Sequence, residues 1–512
     1  MTRTMAGGRV TRVHRPRLRF DLLTWLVGAV GLLVYSLHGF NGVLSRDLGI
    51  YSYAGQQVFE GVPPYEGILN RAGPLAHWLP GLGVLIARIG GLDDVFGMRL
   101  LFLLFAVAGV CMVYLLGRDV FGSKAAGLAS AAAFLSFHGI IAYASGGPRE
   151  KTPMLLMLLV SAWAVHHRRW LGAGVALSLA TLILQISFPV GLAIALVGLI
   201  AVQAGDRLRS AVQFAFGGIV PVVVCIVYFT AAGALQTAFA AFWALNSEYN
   251  VGNSITRGFA TNWWQLEGGY GASLWVALVG VAAIVLLGLS ELGRSAVQWW
   301  RTRDRPEPAA VSTVGLAVAA LVAIAWMFLN FDDWPDAMTV LPWAALAYGG
   351  VVKALSRHLA PRRVLALSLV WIVAGVAMAL NFSVGQRDQR LTAQRQSVTT
   401  VMAELPDDAS MLSINAPQPM VFAHKTNPTR YQTLSGGLGR YMNDTWPGGL
   451  EGYANWIDEQ RPTVIAVGGS VPAWLRGTLS DGYQRVGNGP GWVWFVDRSV
   501  GQKTLRALKH VS

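Results

Sequence analysis

The sequence predicts a polytopic α-helical membrane protein of about 11 transmembrane helices, with its N-terminus inside and its C-terminus outside. Juxtamembrane helices are expected in the first outer loop, and a small extracytoplasmic α/β domain at the C-terminus. Three observations predict this fold class. Of the 512 residues, 54% are hydrophobic and 13% are charged, and apolar runs of about twenty residues recur, as bilayer-spanning helices require. Lys and Arg concentrate in alternate loops. From about Gly385 the apolar runs shorten and turn signals appear.

The composition also excludes some function classes. A net charge of +13 would suggest a nucleic-acid partner in a soluble chain, but in a membrane protein the basic residues must first be sorted by side of the membrane. Sorted in this way, they predict orientation and no nucleic-acid binding. The two cysteines, Cys111 and Cys225, lie inside apolar runs, so a disulfide framework or a CxxC metal site is not expected.

Positive charge fixes the predicted orientation. The first apolar helix runs from about Leu22 to Gly42 and follows a basic tail, residues 1–21, which the positive-inside rule places in the cytoplasm. The next apolar piece, Leu75 to Gly91, is short and contains Pro80. It is either a second span or a helix on the outer surface. The second interpretation is favoured, because it makes every later basic loop cytoplasmic. Those loops hold Arg118, Lys124, Arg168, Arg169, Arg207, Arg209 and the segment 294–305.

The transmembrane domain is therefore predicted to span residues 22–384. After the first helix, further spans are expected near 98–117, 125–145, 152–166, 171–187, 189–204, 211–233, 272–292, 312–330, 337–355 and 364–384. The predicted outer loops are Ser45 to Leu75, Ser145 to Lys151, Ala234 to Gly271 and Asn330 to Asp336. The extracytoplasmic domain, 385–512, is expected to contain helices at 390–405 and 449–462 and strands at 410–415, 463–469 and 492–499. Binding of an acceptor or a scaffold role is the interpretation for this domain.

The first outer loop opens with an Arg-Asp pair. Arg46 and Asp47 precede a helix-like stretch that Gly61 and Pro63-Pro64 end. A structural interpretation is that Asp47, or Ser45, caps this helix. A functional interpretation is that an ionised carboxylate takes a proton from an attacking hydroxyl while Arg46 holds an anion. The two interpretations are compatible, because a cap position at the start of a helix fixes the direction in which the carboxylate points.

Several motifs resemble the GT-C membrane glycosyltransferases, particularly the bacterial branch related to protein O-mannosyltransferases and to the aminoarabinose transferase of lipid A. They are the Asp of the first outer loop, "Y..A" on a helix, "G.PPY" and "NRAGPL" (Asn70 to Leu75), and "GGPREKTPMLL" in the second outer loop. The resemblance in topology covers Leu22 to about Gly385. It implies that Asp47 is the catalytic acidic residue of the first loop and that Glu150 matches an acidic residue at the start of the fourth helix. The alternative for Glu150 is an ordinary interfacial position beside a capped helix.

The resemblance implies transfer of a sugar from a polyprenyl phosphate. Phosphate leaves readily, so the reaction needs a base for the acceptor hydroxyl, cations or a metal for the phosphate, and a groove for the lipid. Asp47 is the candidate base of an inverting displacement. The candidate phosphate-binding residues are Arg46, Arg71, Arg149 and Lys151, with Arg257 as a weaker one. The candidates for acceptor or sugar contacts are Tyr51, Tyr65, Asn70 and Trp263.

A divalent metal ion is a candidate cofactor with unknown ligands. Asp332, Asp333 and Asp336 are close together at an outer membrane face, and clusters of oxygen ligands bind such cations. Their spacing is not a defined metal motif, and solvated loop acids explain it as well. Likewise, the tryptophans of the long outer loop either mark the interface or stack on sugars.

The predicted function is transfer of a sugar from a polyprenyl-phosphate donor to an envelope glycan, lipid or protein at the extracytoplasmic face of a bacterial plasma membrane. The expected partners are this donor, the acceptor and membrane lipids. A ligase or polymerase of lipid-linked glycans would share the topology. A transporter or flippase is the other alternative, although such proteins place ionisable groups near the midplane, whereas here the polar residues gather in outer loops. A non-catalytic assembly subunit, with Asp47 only a cap, also remains open.

Overall fold

The computed structural model describes residues 20–249, 259–303 and 305–511. Within them, a helix or a bent helix pair lies at each predicted span position: Leu22–His38, Asp94–Phe121, Lys124–Ser136 with His138–Ala144, Lys151–His166, Trp170–Ile183, Ser187–Ile200, Ala204–Ala231, Ser273–Thr302, Pro308–Leu329, Leu341–Leu355 and Pro361–Gly385. Five of the described helices are long and apolar enough to cross a membrane, or six if the pair bent by 71° is one span. The others are shorter apolar helices. The chain is thus a polytopic membrane protein, and the count of 11 spans stays a prediction.

The loops that were assigned to one side of the membrane contact one another. Arg118 pairs with Asp21 at 3.4 Å, and Asp119 with His167 at 2.9 Å, among the loops predicted to be cytoplasmic. Among the predicted outer loops, Lys151 pairs with Asp336 at 2.6 Å. These contacts agree with the assignment of loops to sides by charge.

Two helices of the first outer loop pack side by side, Arg46–Phe59 and Leu75–Ile89. Their approach is close: a Cβ atom on Gly55 would lie 2.6 Å from Cβ of Pro80. Pro80 removes one backbone donor from the second helix, and the absence of a side chain on Gly55 lets the two helices meet there. The first helix ends before Gly61, whose φ of 87° is accessible mainly to glycine. The prediction of a helix ended by Gly61 and the two prolines is confirmed.

The long outer loop and the acidic loop carry short helices. In the former these are Leu235–Phe239, a π-helix at Ala240–Ala244, Leu245–Ser247 and Phe259–Tyr270, and in the latter a 3-10 helix at Trp334–Thr339. Residues 390–511, which we call the C-terminal α/β region, contain the helices Arg390–Ala403, Gln418–Ala423, Leu438–Thr445, Gly449–Gln460, Arg476–Gly482 and Gln502–Val511, with 3-10 turns at Ala473–Leu475 and Arg498–Val500.

Four strands form one mixed sheet in this region. They are β1 (Met411–Ile414), β2 (Val464–Val467), β3 (Tyr483–Gly489) and β4 (Trp492–Asp497), in the order β1-β2-β4-β3. β1 and β2 are parallel, and the other pairs are antiparallel. The two helices and three strands predicted here are present, whereas β3 was missed because its alternating polar residues and glycines resemble a loop.

The C-terminal α/β region shares its core with the first outer loop. Leu48 and Tyr53 are buried in one cluster with Met420 and Val421, and the Tyr53 hydroxyl accepts a hydrogen bond from the Asn427 amide at 2.9 Å. The helix that carries Asp47 is therefore fixed by the C-terminal α/β region as well as by the helix Leu75–Ile89.

Gln394 connects the C-terminal α/β region to the start of the first outer loop through a single side chain. It is fully buried. Its Oε1 accepts from the Leu44 amide at 2.8 Å, and its Nε2 donates to the carbonyls of Leu44 and Pro490, both at 3.0 Å. One side chain thus satisfies three backbone groups on two separate segments.

We expect Gln394→Leu to destabilise the protein by about 3 kcal/mol, because it leaves these buried backbone groups without partners. Thermal unfolding of the detergent-solubilised protein measures the effect. Gln396→Leu, an exposed position on the same helix, is the matched control. Equal melting temperatures for the two variants would contradict the assigned role of Gln394.

Candidate active site

A cavity of about 1220 Å³ lies between the start of the first outer loop, the second outer loop, the acidic loop and the C-terminal α/β region. Asp47, Arg46 and Arg149 line it, together with Tyr143 and Trp334. The acidic loop contributes Asp332, Asp333 and Asp336. Residues of the C-terminal α/β region also line the cavity, and we call this part of the lining the C-terminal wall. It consists of Gln394, Asn415, Gln418, Ser435, Gly436, Gly468, Gly469, Ser470, Pro490 and Gly491.

The side chain of Asp47 does not cap its helix. Ser45 is the N-cap, and its Oγ accepts from the Leu48 amide at 3.4 Å. Asp47 is free of that task, and its side chain is 40% exposed, in the cavity lining. Arg149 Nη1 donates to Asp47 Oδ2 at 2.7 Å, and Arg46 Nη2 donates to Oδ1 at 3.2 Å. The carboxylate therefore lies between two guanidinium groups.

These contacts decide the protonation state of Asp47. Burial alone would raise the pKa of its carboxyl, but the charges of Arg149 and Arg46 outweigh it and hold the pKa well below its usual range. Burial would likewise lower the pKa of Arg149, whereas Glu150, Tyr143 and Asp47 raise it well above the ordinary value. Asp47 and Arg149 are therefore both ionised at neutral pH.

The exposed partner of Asp47 gives a pH prediction. Removing the cation in Arg46→Gln should raise the pKa of Asp47, so a larger fraction of the carboxyl is protonated at any acidic pH. If Asp47 is the base of the predicted sugar transfer, kcat/KM of the native protein falls only below the ordinary carboxyl pKa of about 3.9. In the variant the fall begins at higher pH. Superimposable acid limbs in the two pH profiles would contradict this coupling.

Glu150 lies behind this ion pair and outside the cavity lining. Its side chain is 4% exposed, and its Oε2 is 3.3 Å from Arg149 Nε. It also approaches Tyr51: burial and the negative charge of Glu150 raise the pKa of the Tyr51 phenol well above its usual range. Glu150 therefore contacts Arg149 rather than the cavity, and its predicted catalytic role stays a prediction. Tyr51 is half-buried beside it and does not line the cavity.

Two of the four predicted phosphate-binding cations have protein partners elsewhere. Lys151 is buried and donates from Nζ to Asp336 Oδ1 at 2.6 Å. Arg71 is half-buried beside Gly436 and donates from Nη2 to the Tyr249 carbonyl at 2.7 Å. Neither lines the cavity, so Arg46 and Arg149 are the cations that the structure brings to Asp47. Arg257 lies outside the described residues.

The other predicted contact residues support the loops around the cavity. Tyr65 is fully buried, and its hydroxyl donates to the Ala72 carbonyl at 2.9 Å. Asn70 Oδ1 accepts from the Ala72 amide at 3.0 Å. Both residues thus fix the turn of the "NRAGPL" motif. Trp263 packs edge-to-face on Trp275, with ring centroids 5.9 Å apart. These three residues lie outside the lining, so their role as substrate contacts remains a prediction without structural support.

The acidic loop is held by its own hydrogen bonds. Asp336 Oδ2 accepts from the Asp332 amide at 2.8 Å, and Asp333 Oδ1 accepts from the Trp334 amide at 2.8 Å. Burial raises the pKa of Asp336, but Lys151 and the amides of Asp332 and Asp333 lower it to below its ordinary value. Within the described residues, no three His, Cys, Asp or Glu side chains converge enough to hold a metal ion. Asp336 is thus engaged with Lys151 and the loop amides, and a divalent cation at this loop stays a prediction.

Sequence reasoning missed two parts of the cavity. One part is an aromatic pair: the Tyr143 ring stacks on Trp334 with centroids 5.2 Å apart. The Arg149 guanidinium lies 5.4 Å from the centroid of the Tyr143 ring. This contact orients Arg149 by a cation–π interaction. The C-terminal wall was also missed. Its signal was the position of Asn415 and of Gly468-Gly469-Ser470 at the carboxyl ends of two predicted strands, since ligands bind beyond the carboxyl ends of parallel strands.

Comparison with known proteins supports the predicted resemblance. The family model described as dolichyl-phosphate-mannose-protein mannosyltransferase matches residues 71–230. Two crystal structures of ArnT from Cupriavidus metallidurans share the fold. The apo structure has 14% identity and a TM-score of 0.62, covering 92% of this chain and 97% of that chain. The structure bound to undecaprenyl phosphate has 12% identity and a TM-score of 0.60, covering 93% and 98%. No curated protein sequence matches. The resemblance to GT-C membrane glycosyltransferases is confirmed.

Proposed function

We propose that this membrane protein with the GT-C fold transfers a sugar from a polyprenyl-phosphate donor to an envelope acceptor, at the outer face of a bacterial plasma membrane. In this proposal residues 1–21 are cytoplasmic, residues 22–384 form the membrane domain and residues 385–512 the extracytoplasmic domain. The observation that carries the proposal is a carboxylate, Asp47, held between two guanidinium groups in a cavity of about 1220 Å³.

The donor phosphate is the natural partner of the two guanidinium groups. Arg149 is nearly buried and Arg46 is half-exposed, so one is held in place and the other adapts. Guanidinium groups bind phosphate oxygens through paired hydrogen bonds and stabilise the charge that develops on a leaving phosphate. The match to a dolichyl-phosphate-mannose family and the shared fold with an undecaprenyl-phosphate-bound protein support a lipid phosphate here.

Donor binding would also activate Asp47. In the structure both cations stabilise its ionised form, which makes the carboxylate a weak base. A phosphate that takes hydrogen bonds from Arg149 and Arg46 offsets their charge and raises the pKa of Asp47. Asp47 therefore becomes a stronger base when the donor is bound. The donor-bound protein is the state in which the proton of the acceptor hydroxyl has to be removed.

The reaction is then a single displacement. The acceptor hydroxyl gives its proton to the Asp47 carboxylate, and its oxygen forms a bond to C1 of the sugar. The bond between C1 and the phosphate oxygen breaks, and its electron pair leaves with polyprenyl phosphate, whose charge Arg149 and Arg46 stabilise. The cavity exceeds the usual volume of a small-molecule site, about 300 to 1,000 Å³, so it has room for donor sugar and acceptor together.

The test uses the purified protein in lipid nanodiscs, a heat-treated envelope extract of the native host as the source of the acceptor, and a panel of polyprenyl-phosphate sugars labelled in the sugar. Labelled nucleotide sugars are the control donors. The expected result is release of polyprenyl phosphate from at least one donor and from no nucleotide sugar. A flippase would leave the C1–oxygen bond intact, and a ligase or polymerase would consume lipid-linked glycans instead. Absence of bond cleavage with every polyprenyl-phosphate sugar would contradict the proposal.

A further inference from the structure

The C-terminal wall is built at the carboxyl ends of two parallel strands. β1 ends at Ile414 and is followed by Asn415, and β2 ends at Val467 and is followed by Gly468 to Ser470. All of these loop residues line the cavity. Ligands of open α/β sheets bind outside the carboxyl ends of the strands, and the loops that follow β1 and β2 both lie at that edge. The sheet thus presents its ligand-binding edge to the cavity that contains Asp47.

Gln418 brings this wall against the helix of Asp47. A Cβ atom on Gly49, two residues after Asp47, would lie 3.1 Å from Gln418 Cγ. Gln418 is 3% exposed and lines the cavity, and its Oε1 has no hydrogen-bond partner within the described residues. Buried acceptors are nearly always paired, so this oxygen, on a side chain that lines the cavity, is available to a hydrogen-bond donor from a ligand.

The described residues of the wall carry no charge. They offer amides at Gln418 and Asn415 and hydroxyls at Ser435 and Ser470, separated by glycines. Amides and hydroxyls both donate and accept hydrogen bonds, as sugar hydroxyls do. No described residue of this wall is a cation, and Arg71, which lies beside Gly436, is outside the cavity lining and donates to the Tyr249 carbonyl. A phosphate or carboxylate on the acceptor would therefore lack a partner on the wall, and a buried charge without a partner is unfavourable.

A peptide acceptor fits the wall poorly. Peptides are usually bound by addition to a strand edge or by apolar grooves that take alternate side chains. The wall presents strand ends, and Pro490 is its one apolar residue other than glycine among those described.

We propose that the acceptor is a neutral carbohydrate whose hydroxyl groups are held by the C-terminal wall, with Gln418 Oε1 as one acceptor of their hydrogen bonds. This inference deepens the proposed function and rests on it. The glycan can be free or attached to a lipid or a protein, since the wall recognises the sugar that receives the new bond.

The first experiment identifies the residue that receives the sugar. Membranes of the native host contain the acceptor, so the labelled donor is added to them with the purified protein, and linkage analysis is performed on the labelled product. Attachment to a hydroxyl of an uncharged sugar is expected. Attachment to Ser or Thr of a protein, to a phosphate or to a charged sugar would overturn the inference while leaving sugar transfer intact. Release of no polyprenyl phosphate would instead refute the proposed function itself.

The second experiment tests the wall directly. Ser470→Ala removes an exposed hydroxyl, and Gln418→Met removes the amide at nearly constant volume. Each should raise the apparent KM for the isolated acceptor fraction about fivefold, the worth of one hydrogen bond, with kcat and the donor KM nearly unchanged. Ser480→Ala, an exposed serine outside the cavity lining, is the control. Acceptor KM values equal to that of the control in both wall variants would overturn the inference.

Discussion

Asp47→Asn is expected to lower kcat of sugar transfer by about 10³-fold, since general bases contribute about 10² to 10⁴. Asparagine keeps the shape of the side chain but cannot accept the proton of the acceptor hydroxyl. The fold should tolerate the change, because Ser45, and not Asp47, caps the helix. Initial rates under saturating donor and acceptor measure the effect.

Two comparisons make the Asp47→Asn result specific. Asp408→Asn removes an exposed carboxylate of the C-terminal α/β region and should transfer sugar at the native rate. Affinity for polyprenyl phosphate should be retained or increased in Asp47→Asn, because Arg149 and Arg46 lose a competing anion. A transfer rate in Asp47→Asn equal to that of the native protein would contradict the role of Asp47 as the general base.

The second large effect is expected for Arg149→Gln, with a loss of about 10² to 10³-fold in kcat/KM for the donor. The variant removes the buried guanidinium that contacts Asp47 and is proposed to hold the phosphate. Donor kinetics and binding of polyprenyl phosphate measure the two consequences separately. Arg485→Gln, an exposed guanidinium on β3, is the control for a general change of charge.

Loss of folding must be separated from loss of phosphate binding in this variant. Glu150 is buried 3.3 Å from Arg149 Nε, so Arg149→Gln leaves a buried carboxylate without its cation. The double variant Arg149→Gln/Glu150→Gln removes both charges and should recover thermal stability but not donor binding. Glu150→Gln alone should keep most of the activity if Glu150 only positions Arg149. Recovery of donor binding in the double variant would contradict the phosphate role of Arg149.

The positions of the membrane helices could be predicted because each depends on a local property, a long apolar segment with charged ends. The C-terminal strands β1, β2 and β4 were recognised for a similar reason, since each is a short run of apolar, largely β-branched or aromatic residues. The formation of β3 depends on its pairing with β4 along Tyr483–Gly489, and the local sequence does not predict such a pairing.

The candidate site divides in the same way. Asp47 and Arg149 are 102 positions apart in the chain, yet the motifs of two outer loops identified both. Lys151 and Arg71 are cations in predicted outer loops, as phosphate binding requires. Their contacts with Asp336 and the Tyr249 carbonyl depend on the tertiary structure, so the sequence did not predict them. The C-terminal wall escaped prediction because amides, serines and glycines form no motif until the sheet brings their loops together.

The anomeric configuration of the product tests the central claim most directly. A single turnover with a donor of defined configuration at C1, followed by NMR assignment of the new glycosidic bond, reports the number of displacements at that carbon. If Asp47 acts as a base for the acceptor hydroxyl, one displacement occurs and the product has the opposite configuration to the donor. Retention of configuration would contradict the account, because it requires two displacements through a glycosyl–enzyme intermediate.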